Sequence, residues 1–180
     1  MALLPFRRQP AAPALKEGYS LKLDHIPDGA TINRLLQACG DAIHPEERWS
    51  LALSRSFWVM TILDNDHALA GFVRATTDQA LNANLWNLAA RPGPDQVHLV
   101  EVLVHRSLAV LRRDLPGCSI SISAPPQALN ALKNHGYILD PGGIRTMGLR
   151  LRSPVEPEES RAWRDSNPRP SEPESDALSN

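Results

Sequence analysis

Between Ser56 and Ala90 the sequence reads as three period-two segments, SFWVMTIL, ALAGFVRATTD and NANLWNLAA, separated by polar turns. Side chains on a strand alternate between two faces, and a turn as short as Asp64-Asn65-Asp66 joins only antiparallel neighbours. The three segments therefore predict an antiparallel meander, and the rest of the chain must fit around it. Upstream, YSLKLDHI (Tyr19 to Ile26) alternates like a further strand. TINRLLQACG (Thr31 to Gly40) carries an apolar stripe at helical spacing, with Thr31 as the expected N-cap and a terminal glycine. HPEERWSLAL (His44 to Leu53) places proline in a first turn followed by acids, which marks a second helix. Downstream, Val97 to Arg113 repeats apolar residues at Val100, Leu103, Val104, Leu108 and Leu111, with Asp95 as the expected cap and Pro116-Gly117 as the stop. CSISISA (Cys118 to Ala124) alternates, PQALNALKNHG (Pro126 to Gly136) is a short helix closed by glycine, and Thr146 to Arg152 is a last strand. The order is βααβββαβαβ, an α/β domain on a mixed, mainly antiparallel central sheet flanked by helices.

Residues 1–17 mix Pro, Ala and Arg without periodicity and are expected to be a loosely ordered lead-in to a folded domain over 18–152. The remainder, 153–180, has five prolines and seven acids against three arginines, a composition that cannot bury enough apolar surface to order itself. It reads as a disordered tail, with Trp163 the one anchor through which a protein partner could hold it. With 19 basic and 20 acidic residues the net charge is -1, so nothing attracts nucleic acid or an anionic membrane at long range. Cys39 and Cys118 lack any CxxC spacing, which argues against a disulfide framework and against a metal site. No apolar run approaches the roughly 20 residues that span a bilayer, and MALLPF is too short for a signal segment. The expected setting is cytoplasmic.

Two stretches, GFVRATTDQALNANLWNL (Gly71 to Leu88) and HGYILDPGGIRTM (His135 to Met147), with RRDLPG (Arg112 to Gly117) between them, resemble blocks of the GNAT N-acetyltransferase superfamily, in particular its plastid and cyanobacterial, serotonin N-acetyltransferase-like branch. That resemblance implies transfer of an acetyl or other acyl group from acyl-CoA, with acetyl-CoA the expected cosubstrate, to a small-molecule primary amine by direct attack. It implies that strand Asn82 to Ala90 splays from the next strand and polarises the thioester carbonyl through backbone N–H groups near Leu88, Ala89 and Ala90. The loop and helix start that follow, Gln96, Val97, His98, Leu99 and Val100, would cradle the pyrophosphate.

In the family's register, Asp95 stands at a Gln/Arg position, and His98 and Val100 stand where glycines belong. If those positions needed left-handed backbone, non-glycine residues there would be strained by about 1–2 kcal/mol each. A carboxylate at 95 would repel phosphate, and glycines at 98 and 100 would be expected to restore affinity. The tyrosine that returns a proton to the thiolate is replaced by Leu132 after Ala131, and Tyr137 matches a core phenylalanine. The aspartate that relays the amine's proton is Asn87, and an amide is no base at neutral pH. Arg74, Asp78 and Asn82 keep the branch's pattern and are candidates for substrate binding, as is Trp86. Their structural roles would be turn capping for Asp78 and Asn82 and core filling for Trp86. Three readings follow: an acyl-CoA-dependent N-acetyltransferase, a catalytically silent protein of the same fold that binds another ligand or partner, or, as the residual, a wholly structural α/β domain. Homodimerisation stays open.

Overall fold

The computed structural model describes residues 11–139; the strand expected at Thr146 to Arg152 and the tail lie outside them. Within these bounds the elements follow the expected order: β1 (Ser20–Leu23), α1 (Gly29–Ala38), α2 (Glu46–Ser54), β2 (Trp58–Leu63), β3 (Leu69–Thr77), β4 (Asn82–Ala90), α3 (Gln96–Asp114), β5 (Ser119–Ile122), a 3₁₀ turn (Pro126–Ala128) and α4 (Leu129–Asn134). The sheet runs β1-β2-β3-β4-β5, antiparallel up to β4 and parallel between β4 and β5.

The helices divide between the two faces of the sheet. α3 and α4 cover one, packing Leu99, Val100, Leu103, Leu108 and Leu111 on Met60, Ile62, Val73 and Leu85. α1 and α2 cover the other, packing Ile32, Leu36 and Trp49 on Val59, Phe72 and Ala89. Each fully buried side chain of this size contributes about 1.5–3 kcal/mol, so α3 is clamped along its length and the position of its first turn follows. It lies close because β3 has a glycine beneath it. A Cβ on Gly71 would come within 3.1 Å of Leu103 Cδ1 and 3.3 Å of Ile62 Cβ.

The α1–α2 corner is tied by one side chain. Asn33 donates to the His44 carbonyl (2.7 Å), and its Oδ1 accepts from the His44 N–H (3.0 Å) and from Trp49 Nε1 (2.8 Å). Trp49 then meets Phe72 edge to face at 6.2 Å, which fixes α2 against the sheet.

Both expected helix caps are corrected. α1 starts earlier than Thr31: Asp28, in extended backbone, accepts from the Thr31 N–H at 2.6 Å, so the threonine sits inside the first turn. Asp95 precedes α3 but already has helical φ and ψ (−95°, −5°) and makes no capping hydrogen bond. A cap needs the extended conformation to swing its side chain over the next N–H groups.

Candidate active site

β4 is paired with β5 only from Asn82 to Leu85, opposite Ser119 to Ile122. Beyond Leu85 it runs on to Ala90 without that neighbour, so the sheet opens between the two strands. A bulge lies just past the parting. Arg74 faces Trp86 and Phe72 faces Ala89, which leaves Asn87 and Leu88 opposite Val73 alone. Asn87 takes φ of 56°, a left-handed conformation that asparagine tolerates better than most residues. The extra residue shifts the alternation, so that Leu88 and Ala90 join Ala83 and Leu85 on the α3 face.

Hydrogen bonding at the strand end distinguishes the three expected backbone donors. Arg91 N–H donates to Ala70 C=O at 2.8 Å, and bonded and non-bonded pairs alternate along an antiparallel ladder. Ala89 is accordingly bonded to Phe72, while Ala90 turns its backbone toward the side β5 has left. The Ala90 carbonyl there accepts from Gln96 Nε2 (3.0 Å) and from the Cys39 thiol (3.2 Å). Burial, and then Asp41, push the Cys39 thiol above its ordinary pKa, so it is a donor and not a thiolate nucleophile.

The helix start beside this opening differs from the strained loop anticipated at His98 and Val100. Both lie in regular helix, and the positive φ of this loop belongs to Gly93 (147°). Val100 and Leu99 point their side chains into the core, so neither side chain reaches a ligand, and no left-handed strain arises at 98 or 100. The Gln96 N–H returns to Gly93 C=O and the Leu99 N–H to Asp95 C=O. Val97 and His98 keep their backbone N–H groups without an acceptor among the described residues. The end of the lead-in packs here too: Lys16 pairs with the Asp95 carboxylate, Tyr19 OH donates to it at 3.1 Å, and His98 Nε2 lies 2.9 Å from Ala14 C=O. Ala14 and Lys16, near the end of the lead-in, are therefore placed by specific contacts. The Lys16 ammonium, followed by Tyr19, holds the Asp95 carboxyl below the usual carboxylate range and offsets the repulsion anticipated toward phosphate.

On the α2 side of the bulge lies a cleft of about 410 Å³ walled by His44, Trp49, Ala52, Arg74 and Asn87, with Arg48 and Arg55 at its rim. Arg74 Nε donates to Asn87 Oδ1 at 2.9 Å, and its guanidinium lies 5.9 Å from the centre of the Trp86 ring. Trp86 is 41% exposed and donates to Thr76 Oγ1 at 2.8 Å, so it does not fill the core as its size suggested. Burial lowers the Arg74 pKa without bringing deprotonation within reach. The α2 contribution is the part that sequence reasoning missed. Arg48 and Arg55 look like solvent-facing helix residues until the fold sets them opposite Arg74.

The other expected site residues divide plainly. Asp78 and Asn82 build the β3–β4 turn: Asp78 Oδ1 accepts from the N–H groups of Ala80 (2.9 Å), Leu81 (2.8 Å) and Asn82 (2.9 Å), and neither residue lines the cleft. Leu132 is buried in the α3–α4 core. Tyr137 packs against the same core with its hydroxyl buried and unpartnered among the described residues, and burial raises its pKa, so it is a poor acid. No group of three or more metal-ligating side chains occurs among the described residues, and none of their helices is long and apolar enough to cross a membrane.

No family model matches the chain. It is 28% identical over 119 residues to the uncharacterized N-acetyltransferase ycf52 of Pyropia yezoensis, covering 64% of this chain and 68% of that one. It is 36% identical over 80 residues to GCN5-related N-acetyltransferase 2, chloroplastic, of Arabidopsis thaliana, covering 44% of this chain and 30% of that one. A probable acetyltransferase from meticillin-resistant Staphylococcus aureus shares the fold with a TM-score of 0.64 at 15% identity, over 73% of this chain and 100% of that one. A GNAT family acetyltransferase from Streptococcus pneumoniae does so with a TM-score of 0.58 at 15% identity, over 74% and 98%.

Proposed function

We propose, for a chain that belongs in fold and in sequence similarity with the GNAT N-acetyltransferases, transfer of an acetyl group from acetyl-CoA to a small-molecule primary amine. One observation carries this reading: β4 leaves β5 at Leu85 and ends on Ala90, beside a helix start whose Val97 and His98 N–H groups have no acceptor among the described residues. An anionic pyrophosphate suits those two donors, the α3 dipole and the Lys16 ammonium, and Gly93 leaves open space where a side chain would stand. Acetyl-CoA supplies the acyl group as a thioester: the amine nitrogen bonds to the carbonyl carbon, the C–S bond breaks, the nitrogen loses a proton, and CoA leaves as its thiol.

The chain's own residues supply position and electrostatics. The Ala90 backbone, turned toward the opening, is the donor suited to the carbonyl oxygen. Asn87 and Arg74 shape the side from which the amine arrives. The cleft's guanidinium groups stay protonated and the Asn87 amide is not basic, so these side chains position the amine and do not take its proton. Leu132 and Asn87, at the family's acid and base positions, supply neither function. This is compatible with transfer because a CoA thiolate departs without acid assistance, which is otherwise worth about 10²–10⁴-fold. A cytoplasmic setting belongs to the same reading.

Thermal stability of the full chain is the direct test. Acetyl-CoA should raise the melting temperature with concentration as RT ln(1 + [L]/Kd) predicts, and CoA thiol should appear when amines are added. No shift and no thiol release at millimolar acetyl-CoA would overturn the proposal.

A further inference from the structure

Among the described residues, the side chains lining the cleft beside the β4 bulge carry charge of one sign. Arg48 on α2 and Arg55, the residue that follows its last turn, lie seven residues apart on one side, and Arg74 reaches the same space from β3. Among the described residues no carboxylate lines the cleft, and the ion pairs involve Lys16, Arg91 and Arg113 but none of these three arginines. Arg74 uses its Nε on Asn87, which orients the guanidinium and leaves the terminal nitrogens, with four N–H bonds, for another acceptor.

We infer, resting on the transferase reading, that the acceptor is a small amine bearing an anionic group, a carboxylate or a phosphate, which seats on Arg48, Arg55 and Arg74. Unpaired guanidinium groups around one space repel each other, and an anion with two or more oxygens relieves that repulsion while matching the planar fork in bidentate fashion. The same field acts on the amine. Nearby positive charge disfavours an ammonium, so the nitrogen is favoured in its neutral, nucleophilic form. A diamine gains nothing from such a cleft and is repelled by it, whereas an anionic tether brings the amine in. A volume of about 410 Å³ lies within the ~300–1,000 Å³ of small-molecule sites.

The test compares matched amines on the full chain with acetyl-CoA, following CoA thiol release: ethanolamine as the neutral amine, 1,4-diaminobutane as the dication, β-alanine as the carboxylate and phosphoethanolamine as the phosphate. One of the last two is expected to exceed both others at least about tenfold in kcat/KM, the scale of hydrogen bonds to charged groups, and the better of them identifies the anion. Arg48→Gln, at an exposed position on α2, and Arg55→Gln, at the exposed residue that follows it, should each narrow that ratio about tenfold through KM. Equal use of ethanolamine, or an unchanged ratio in both variants, would overturn the inference. If no amine is turned over, titration of β-alanine and phosphoethanolamine into the wild type and the Arg48→Gln/Arg55→Gln double variant still decides it. Binding lost in the double variant supports the anion cleft while the transferase reading fails alone; no binding to the wild type removes the cleft's role.

Discussion

Lys16 pairs through Nζ with the carboxylate of Asp95, 79 residues further along the chain, and Tyr19 donates to the other oxygen of the same group at 3.1 Å. The contact places a positive charge beside an aspartate that, alone, would repel the phosphates of the proposed cosubstrate. It also ties the lead-in to the first turn of α3.

Acetyl-CoA affinity should therefore respond in opposite directions to the two partners. Lys16→Ala leaves the carboxylate uncompensated and weakens binding, while Asp95→Asn strengthens it, each by about two- to fivefold as for exposed charges. Titration calorimetry at low and at high salt checks this, because screening should shrink both effects. Equal affinity in all three proteins would show that the phosphates lie elsewhere.

Val100→Gly should not create a better phosphate loop. Val100 is fully buried in regular helix, so glycine there removes a packed side chain and lowers helix propensity. The loss is about 3 kcal/mol, combining about 1 for glycine in a helix with about 2 for the cavity. Urea unfolding measures it, and acetyl-CoA affinity should not improve.

Asp78→Ala separates turn building from substrate binding. Three backbone N–H groups hold the Asp78 carboxyl well below the usual carboxylate range, that of Asn82 contributing most. A depressed folded pKa means that this contribution is complete above the unfolded value near 3.8 and fades as the pH falls below it. The variant should melt a few degrees lower at pH 7, with acceptor KM unchanged and the difference vanishing in acid. A raised KM at unchanged stability would return Asp78 to the substrate site.

His105 and His135 form a second pH-dependent pair. His135 Nδ1 lies 2.8 Å from Ala131 C=O and must donate to it, so its Nε2 accepts from His105 Nδ1 at 3.2 Å. Burial first, then the charges of His135, Arg106 and Arg112, lower the His105 pKa, with Glu101 opposing them. Because the unfolded chain then binds the extra proton more readily, stability is complete above about pH 6.5 and declines below it. The midpoint of urea unfolding should fall between pH 7 and pH 5.5, and His105→Gln should flatten that slope.

Periodicity made the elements legible because alternation and helical spacing are local. β4 was placed at Asn82 to Ala90 and α3 within a residue of either end, since each buries a face whose pattern is written in consecutive residues. Cap assignments were less secure: Thr31 and Asp95 have suitable side chains, but capping depends on backbone conformation one residue at a time. The anticipated loss of the phosphate loop rested on residue types at 98 and 100, whereas helix packing holds those residues in ordinary helical backbone.

By itself the sequence determined the order of strands and helices, the apolar faces that pack them and the likeness to N-acetyltransferases. Only the tertiary structure decided what those faces bring together. The Lys16–Asp95 pair, the bulge at Asn87 and the meeting of Arg48, Arg55 and Arg74 join residues distant in sequence. Their energies depend on separations in space, which no local pattern records, so a site assembled from a lead-in, a helix corner and two strands becomes readable only once the sheet has set them side by side.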